Sequence, residues 1–265
     1  MSASPAWRSR LEAASLATTG EPLPLGDGLW RASTTAGEVV VKAGPGVSDE
    51  ADGLISLSRV AGAPPVPEVL LAEPDLLVTR WVRQRSRDTA HEEALGRTLA
   101  VLHNAGWPQW GGGSSWIGAC PVDSAPQPDG ATFYRTRLVG LAARCGLEGP
   151  MAAAAERIGD LLSAGGPALV HGDLWWGNVL WGSDGRAWLI DPSAHGGHPE
   201  EDLAMLGLFG AIPDATWRAY SEVRPPASGW RERTGLFQLV PLLVHAILFG
   251  GGYRRQAEGI ISRLS

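Results

Sequence analysis

Residues 168–191 limit the possible folds more than any other part of this 265-residue chain. The apolar run Ala168-Leu169-Val170 leads into His171-Gly172-Asp173, and Asn178 follows five residues after Asp173. A second run, Val179-Leu180-Trp181, and a third, Ala187-Trp188-Leu189-Ile190, flank a short turn, and the third ends on Asp191. Short apolar runs bounded by turn residues read as strands. Asp173 and Asp191 therefore sit at strand ends within one small β interlude. The surrounding pattern is helical, over roughly 88–105, 131–145, 150–164, 199–209, 214–222, 230–249 and 252–264.

The first third of the chain has a different character. Ser4 followed by Pro5 reads as a helix start, with the helix running to about Leu16. Glu38-Val39-Val40-Val41-Lys42 is a β-branched run bounded by Gly37 and Gly44, a strong strand signal. From Ser48, the spacing of Ala51, Leu54, Ile55, Leu57 and Val60 predicts a helix that Pro64, Pro65 and Pro67 end. Glu68–Leu71 and Leu76–Val82 read as two strands about a turn at Glu73-Pro74-Asp75. Residues 20–82 thus form a small sheet with one inserted helix. Arg83 to Arg87 is a connector, and the Gly-, Pro- and Trp-rich stretch 106–130 is an irregular loop. The expected fold class is α+β in two lobes: residues 1–82, small and β-rich with one helix, and residues 83–265, larger and mainly helical.

Composition excludes several functions. The formal net charge of −6 gives no basic footprint for nucleic acid or an anionic membrane. The greasiest stretch, Leu236 to Phe249, is short for a membrane span and is broken by Gln238, Pro241 and His245. The N-terminal residues contain no apolar signal core, so the expected compartment is the cytosol. Cys120 and Cys145 form neither a disulfide framework nor metal-ligand spacing. Of 22 basic residues, 21 are arginine and one, Lys42, is lysine. GC-rich codon usage is the bland reading of the missing lysines; the position of the survivor, at the end of a strand, invites a functional one.

Phosphoryl transfer needs this set of groups. One carboxylate receives or orients the acceptor hydroxyl, while a second carboxylate and an amide oxygen hold Mg²⁺ against the phosphates of ATP. A strand lysine in the other lobe holds the phosphates, and a helix carboxylate holds the lysine. Asp173, Asp191 with Asn178, Lys42 and Glu50 supply these parts in that order of roles. Asp49 is adjacent to Glu50, and either could simply favour the first helical turn electrostatically. Asp191 could merely cap the turn before Pro192, and Trp175 could stack on an acceptor sugar or pack the loop. A rival reading gathers His171, Asp173, Asp191, His195 and His198 as a metallohydrolase centre, which leaves Lys42 and Asn178 without a role.

The frame His171-Gly172-Asp173-Leu174-Trp175-Trp176-Gly177-Asn178 followed by Ile190-Asp191-Pro192 resembles the fructosamine (ketosamine) kinase family. That family belongs to the aminoglycoside phosphotransferase and protein-kinase-like superfamily. Gly197-His198-Pro199-Glu200-Glu201-Asp202-Leu203-Ala204-Met205, Glu50-Ala51-Asp52-Gly53-Leu54, Leu102-His103 and Leu248-Phe249-Gly250-Gly251-Gly252-Tyr253 extend the resemblance over nearly the whole chain. It implies a protein-kinase-like fold, ATP and Mg²⁺, and a ketosamine acceptor phosphorylated on a sugar hydroxyl, with deglycation as the outcome. It also implies phosphate contacts at Gly26 and Gly28, nucleotide contacts at the connector residues Trp81 and Val82, and supporting roles for His171 and Asp202. The sequence departs from the pattern at the Gly26-Asp27-Gly28 turn, which has only two glycines, and at Arg80, where the family usually carries an acidic residue. The remaining alternatives are an aminoglycoside or amino alcohol as acceptor, and a catalytically silent nucleotide-binding protein.

Overall fold

The computed structural model describes residues 6–162 and 165–264, so the Ser4-Pro5 helix start lies outside it. An antiparallel sheet of five strands builds the first lobe: β1 (Leu23–Gly26), β2 (Leu29–Thr34), β3 (Gly37–Ala43), β4 (Val69–Glu73) and β5 (Leu76–Arg80), in spatial order β1-β2-β3-β5-β4. β1 and β2 go beyond the strands read from the sequence. Pro24 lowers the strand signal, yet it is tolerated because β1 is an edge strand. Helix α1 (Arg8–Ala13) and its flanks bring Trp7, Leu11 and Leu16 onto Val39, Val41, Leu76 and Val78. Strand side chains alternate between faces, so Val40 and Lys42 point to the opposite side. There α2 (Val47–Ser58) packs Val47, Ala51 and Leu54 against Leu77. That alternation directs the lone lysine into the cleft between the lobes.

β5 stops at Arg80, and an extended stretch carries the chain to α3 (Thr89–Asn104), capped by the Asp88 side chain on His91 N. The loop over 106–130 contains only two short strands, β6 (Trp116–Ile117) and β7 (Cys120–Pro121). α4 (Gly130–Arg144) follows, capped by Asp129. The single helix expected over 150–164 is instead two, α5 (Glu148–Ala155) and α6 (Ile158–Leu161). The alanine run presents no wide apolar stripe to hold one long helix. The break at Glu156-Arg157 returns Ile158 to the core and lets Arg157 donate to Leu264 O at 3.2 Å.

The β interlude consists of β8 (Ala168–Val170), β9 (Val179–Trp181), β10 (Ala187–Leu189) and β11 (His195–Gly197). β9 pairs with β10, and β11 returns to pair with β8, five residues beyond the expected end of the interlude at Ile190. Helices α7 (Glu200–Leu208), α8 (Asp214–Val223), α9 (Trp230–Phe249) and α10 (Gly252–Leu264) complete the lobe. α9 is long and apolar enough by length and composition to cross a membrane, but half of it is buried inside the protein. Its Leu236, Phe237, Leu239, Val240, Leu242 and Leu243 form the centre of the largest core. Each such side chain contributes about 1.5–3 kcal/mol when fully buried.

α3 and α8 approach closely where Gly96 faces Thr216 and Tyr220. A Cβ at Gly96 would fall 2.2 Å from Thr216 O and 2.9 Å from Tyr220 N. Alanine gains about 1 kcal/mol of helix propensity over glycine, whereas overpacking costs about 1–3 kcal/mol. Contact with rigid backbone places this case at the upper end. Gly96→Ala should therefore lower the melting temperature in thermal denaturation; an unchanged or higher value would contradict this packing.

Candidate active site

Three backbone links assemble the turn that carries Asp173 and Asn178. Asn178 N–H donates to Trp175 O at 2.9 Å and Ile190 N–H donates to Asn178 O at 3.1 Å, which sets Asp191 beside Asn178. Ser193 N–H donates to His171 O at 2.9 Å, closing the segment after Asp191 against the turn. Asp191 itself takes φ +56°, a left-handed conformation that Asp tolerates better than most residues. Such local strain persists where the surroundings enforce it, often at functional sites.

Asn178 Nδ2 donates to Asp173 O at 2.8 Å and lies 3.4 Å from Asp173 Oδ2. Its amide oxygen is thereby turned away from Asp173. Burial is the main force on the Asp173 carboxyl; with the Asp191 charge it outweighs the Asn178 contact and pushes the pKa up to about 8. Lys42 Nζ pairs with Glu50 Oε1 at 2.7 Å and also with the Asp191 carboxylate. Burial alone would lower the Lys42 pKa, but the Asp191 and Glu50 charges hold it above its ordinary value. The strand lysine, the helix carboxylate and the acid after β10 thus meet across the two lobes.

The supporting residues form a buried relay. The Asp202 carboxylate accepts from His171 N at 2.8 Å, Gly172 N at 2.9 Å and His103 Nε2 at 3.0 Å. Tyr220 OH in turn donates to His103 Nδ1 at 2.8 Å. Burial would raise the Asp202 pKa, yet these donors outweigh it and hold the pKa below 3.8. His171 has no free ring nitrogen: Nε2–H donates to Ile190 O at 3.0 Å and Nδ1 accepts from Asp173 N at 3.3 Å. Burial lowers its pKa. Through its two ring nitrogens His171 thus ties the turn to the segment before Asp191. The sequence reading named His103 only within the Leu102-His103 resemblance, without a role, and missed Tyr220, because the His103 contacts to Asp202 and Tyr220 span about a hundred residues.

Two cavities meet at Leu29, Lys42, Glu50 and Asp191. The larger, about 500 Å³, is lined by Asp173, Asn178, Trp175, Gly28 and the loop residues Ser114 and Trp116. The smaller, about 210 Å³, is walled by Leu25, Val40, Trp81, Val82, Leu180 and Ile190, a mainly apolar lining of the kind an aromatic ring takes. Gly28 has φ +66°, and a Cβ there would lie 2.4 Å from Ala43 O, so the turn presses directly on the lysine strand. Gly26 lines neither cavity. Trp175 is 41% exposed and meets Phe209 edge-on at 6.3 Å. Among the described residues no group of three or more His, Cys, Asp or Glu is arranged to hold a metal. His195 is committed to Ser193 O and Arg137 instead. The oxygen donors Asn178 Oδ1 and Asp191 are of the type a hard divalent cation takes.

A β-rich lobe over a mainly helical one, with a lysine and an acid meeting in the cleft beside a second acid, defines a kinase-like phosphotransferase. A crystal structure assigned as a fructosamine-3-kinase from Thermobifida fusca superposes with a TM-score of 0.87 at 34% identity, covering 98% of each chain. A Thermus thermophilus protein named as a ketoamine kinase is 33% identical over 258 residues, 92% of this chain and 94% of that protein. The macrolide 2'-phosphotransferase of Brachybacterium faecium shares the fold at 19% identity, with a TM-score of 0.61 over 98% of each chain. The sequence model for fructosamine kinase matches residues 44–265. The chain belongs to the fructosamine kinase family, and this membership implies use of ATP.

Asp202 gives the relay a pH signature. Its pKa is depressed in the folded state, so its stabilising contribution is present above about pH 4 and is lost as pH falls through the folded value. Asp202→Ala leaves His103, the buried His171 amide and the half-buried Gly172 amide without their acceptor and should cost about 3–5 kcal/mol near neutral pH. In urea unfolding at a series of pH values, the gap between the variant and the natural protein should narrow below pH 4. A gap that widens in acid would refute the relay.

Proposed function

We propose that the protein transfers the γ-phosphoryl group of ATP to a sugar hydroxyl of a ketosamine, free or carried on a protein lysine, in the cytosol. Family membership and the names of its relatives support the acceptor class. The observation that carries the chemistry is one cavity in which Asp173 lies beside the Lys42–Asp191 contact. On this reading residues 1–82 hold the nucleotide, with the base between Leu25, Trp81, Val82 and Leu180. Residues 83–265 supply the catalytic groups and the acceptor site. Lys42, held by Glu50, takes the phosphates, and Gly28 lets the turn above them stay close.

Asp173 in its ionised form accepts the proton of the attacking hydroxyl. Its second oxygen stays near Asn178 Nδ2, which fixes the carboxyl plane. Asn178 Oδ1 and Asp191 would hold Mg²⁺, which when bound neutralises charge on the phosphates. Trp175 offers an indole face to the apolar side of the sugar. Phosphorylation makes a ketosamine prone to decompose and release its amine, which gives deglycation.

An ATP-consumption screen with Mg²⁺ over fructosamines, ribulosamines, aminoglycosides and amino alcohols tests the acceptor. Turnover of ketosamines supports the proposal; turnover confined to an antibiotic or amino alcohol refutes it, and nucleotide binding with no turnover anywhere indicates a silent binder. Asp173→Asn should abolish transfer and spare nucleotide binding. Because the folded-state pKa is raised from 3.8 to about 8, the stability tied to this carboxyl is complete below pH 3.8 and is lost as pH rises through 8. The same variant should therefore melt higher at pH 8 than the natural protein, by about 2–4 °C for each kcal/mol relieved, and the difference should vanish near pH 3.5. A variant that is active, or that melts lower at pH 8, would remove Asp173 from this role.

A further inference from the structure

We infer that Ser193 is an acceptor-binding residue, its hydroxyl hydrogen-bonding a ketosamine hydroxyl that neighbours the one Asp173 deprotonates. The inference rests on the ketosamine reading above. Ser193 is 1% exposed, and its Oγ has no hydrogen-bond partner within the protein. Buried polar atoms are nearly always paired, and one left unpaired costs stability. Two other buried hydroxyls lack partners, Thr216 Oγ1 and Ser221 Oγ, but both lie on α8 and line neither of the two joined cavities. Ser193 does line the larger cavity, together with Asp173, Trp175 and Ser114, and it is absent from the walls of the base pocket.

The backbone of Ser193 is fully committed. Its N–H donates to His171 O at 2.9 Å and its carbonyl accepts from His195 Nδ1 at 2.8 Å. The first bond fastens the residue to the turn that carries Asp173 and the second to His195 of β11, without help from the side chain. The backbone is thus held at the cavity wall, and the buried hydroxyl has no protein partner to give up when rotation about Cα–Cβ turns it to a sugar in the cavity. A sugar, with hydroxyls on adjacent carbons, can present one to Asp173 and the next to Ser193. A site built to bond a substrate hydroxyl discriminates strongly against analogues that lack it.

Ser193→Ala tests this in the whole 265-residue chain. The acceptor KM should rise about five- to tenfold, the worth of one hydrogen bond, with kcat within about twofold and the KM for ATP unchanged. The melting temperature should hold or rise, because no protein partner is lost. Among monodeoxy ketosamines, at least one should be handled equally by the variant and the natural enzyme, since the pairing is absent in both. An unchanged acceptor KM, a rise in the KM for ATP instead, or a lower melting temperature would overturn the assignment. If the natural enzyme turns over no ketosamine, the substrate reading fails and this inference with it. An active natural enzyme with an indifferent variant defeats this inference alone.

Discussion

A carboxylate cut off from water must find donors or give up its charge. Asp202 finds three: two backbone N–H groups of the turn that leads into Asp173 and the His103 ring. That one group joins α7 to the turn before Asp173 and to α3, and through Tyr220 to α8. The turn has no regular secondary structure of its own to satisfy those amides. With the carboxylate in place, His171 can spend its ring on Ile190 and Asp173, and Asp191 emerges next to Asn178. The close α3–α8 contact at Gly96 keeps the far end of the relay in register.

The cleft works against folding where the relay works for it. Asp173 is held where ionisation is unfavourable, and Ser193 keeps an unpaired hydroxyl. Asp191 sits in a left-handed conformation. Such costs are typical of sites pre-arranged for a ligand rather than for stability. The Lys42–Asp191 pair offsets part of them by joining the lobes through opposite charges, while Glu50 holds Lys42 within its own lobe.

The elements with local signals were legible in the sequence. The β-branched run ending at Lys42, the Asp173-to-Asn178 spacing and the short runs flanking it lead to a two-lobed fold, and the structure brings Lys42, Glu50, Asp173, Asn178 and Asp191 to one cavity. What stayed hidden depends on tertiary contact. Leu25 and Leu180 come from separate strands and Ile190 follows a third, and they share the smaller cavity only after folding. Pro24 concealed an edge strand, and the alanine run before Glu156 concealed a helix break. The pairing of β11 with β8, which fixes Ser193, rests on the glycine-rich His195-Gly196-Gly197, a segment with little strand propensity.

Lys42 is the only lysine in the chain, so an amine-reactive ATP analogue has a single side-chain target. Peptide mapping after labelling, with and without excess ATP, reports directly on where the phosphates lie. The account predicts that Lys42 is modified and that ATP protects it. Labelling of Lys42 that proceeds equally with saturating ATP would place the nucleotide elsewhere and contradict the account.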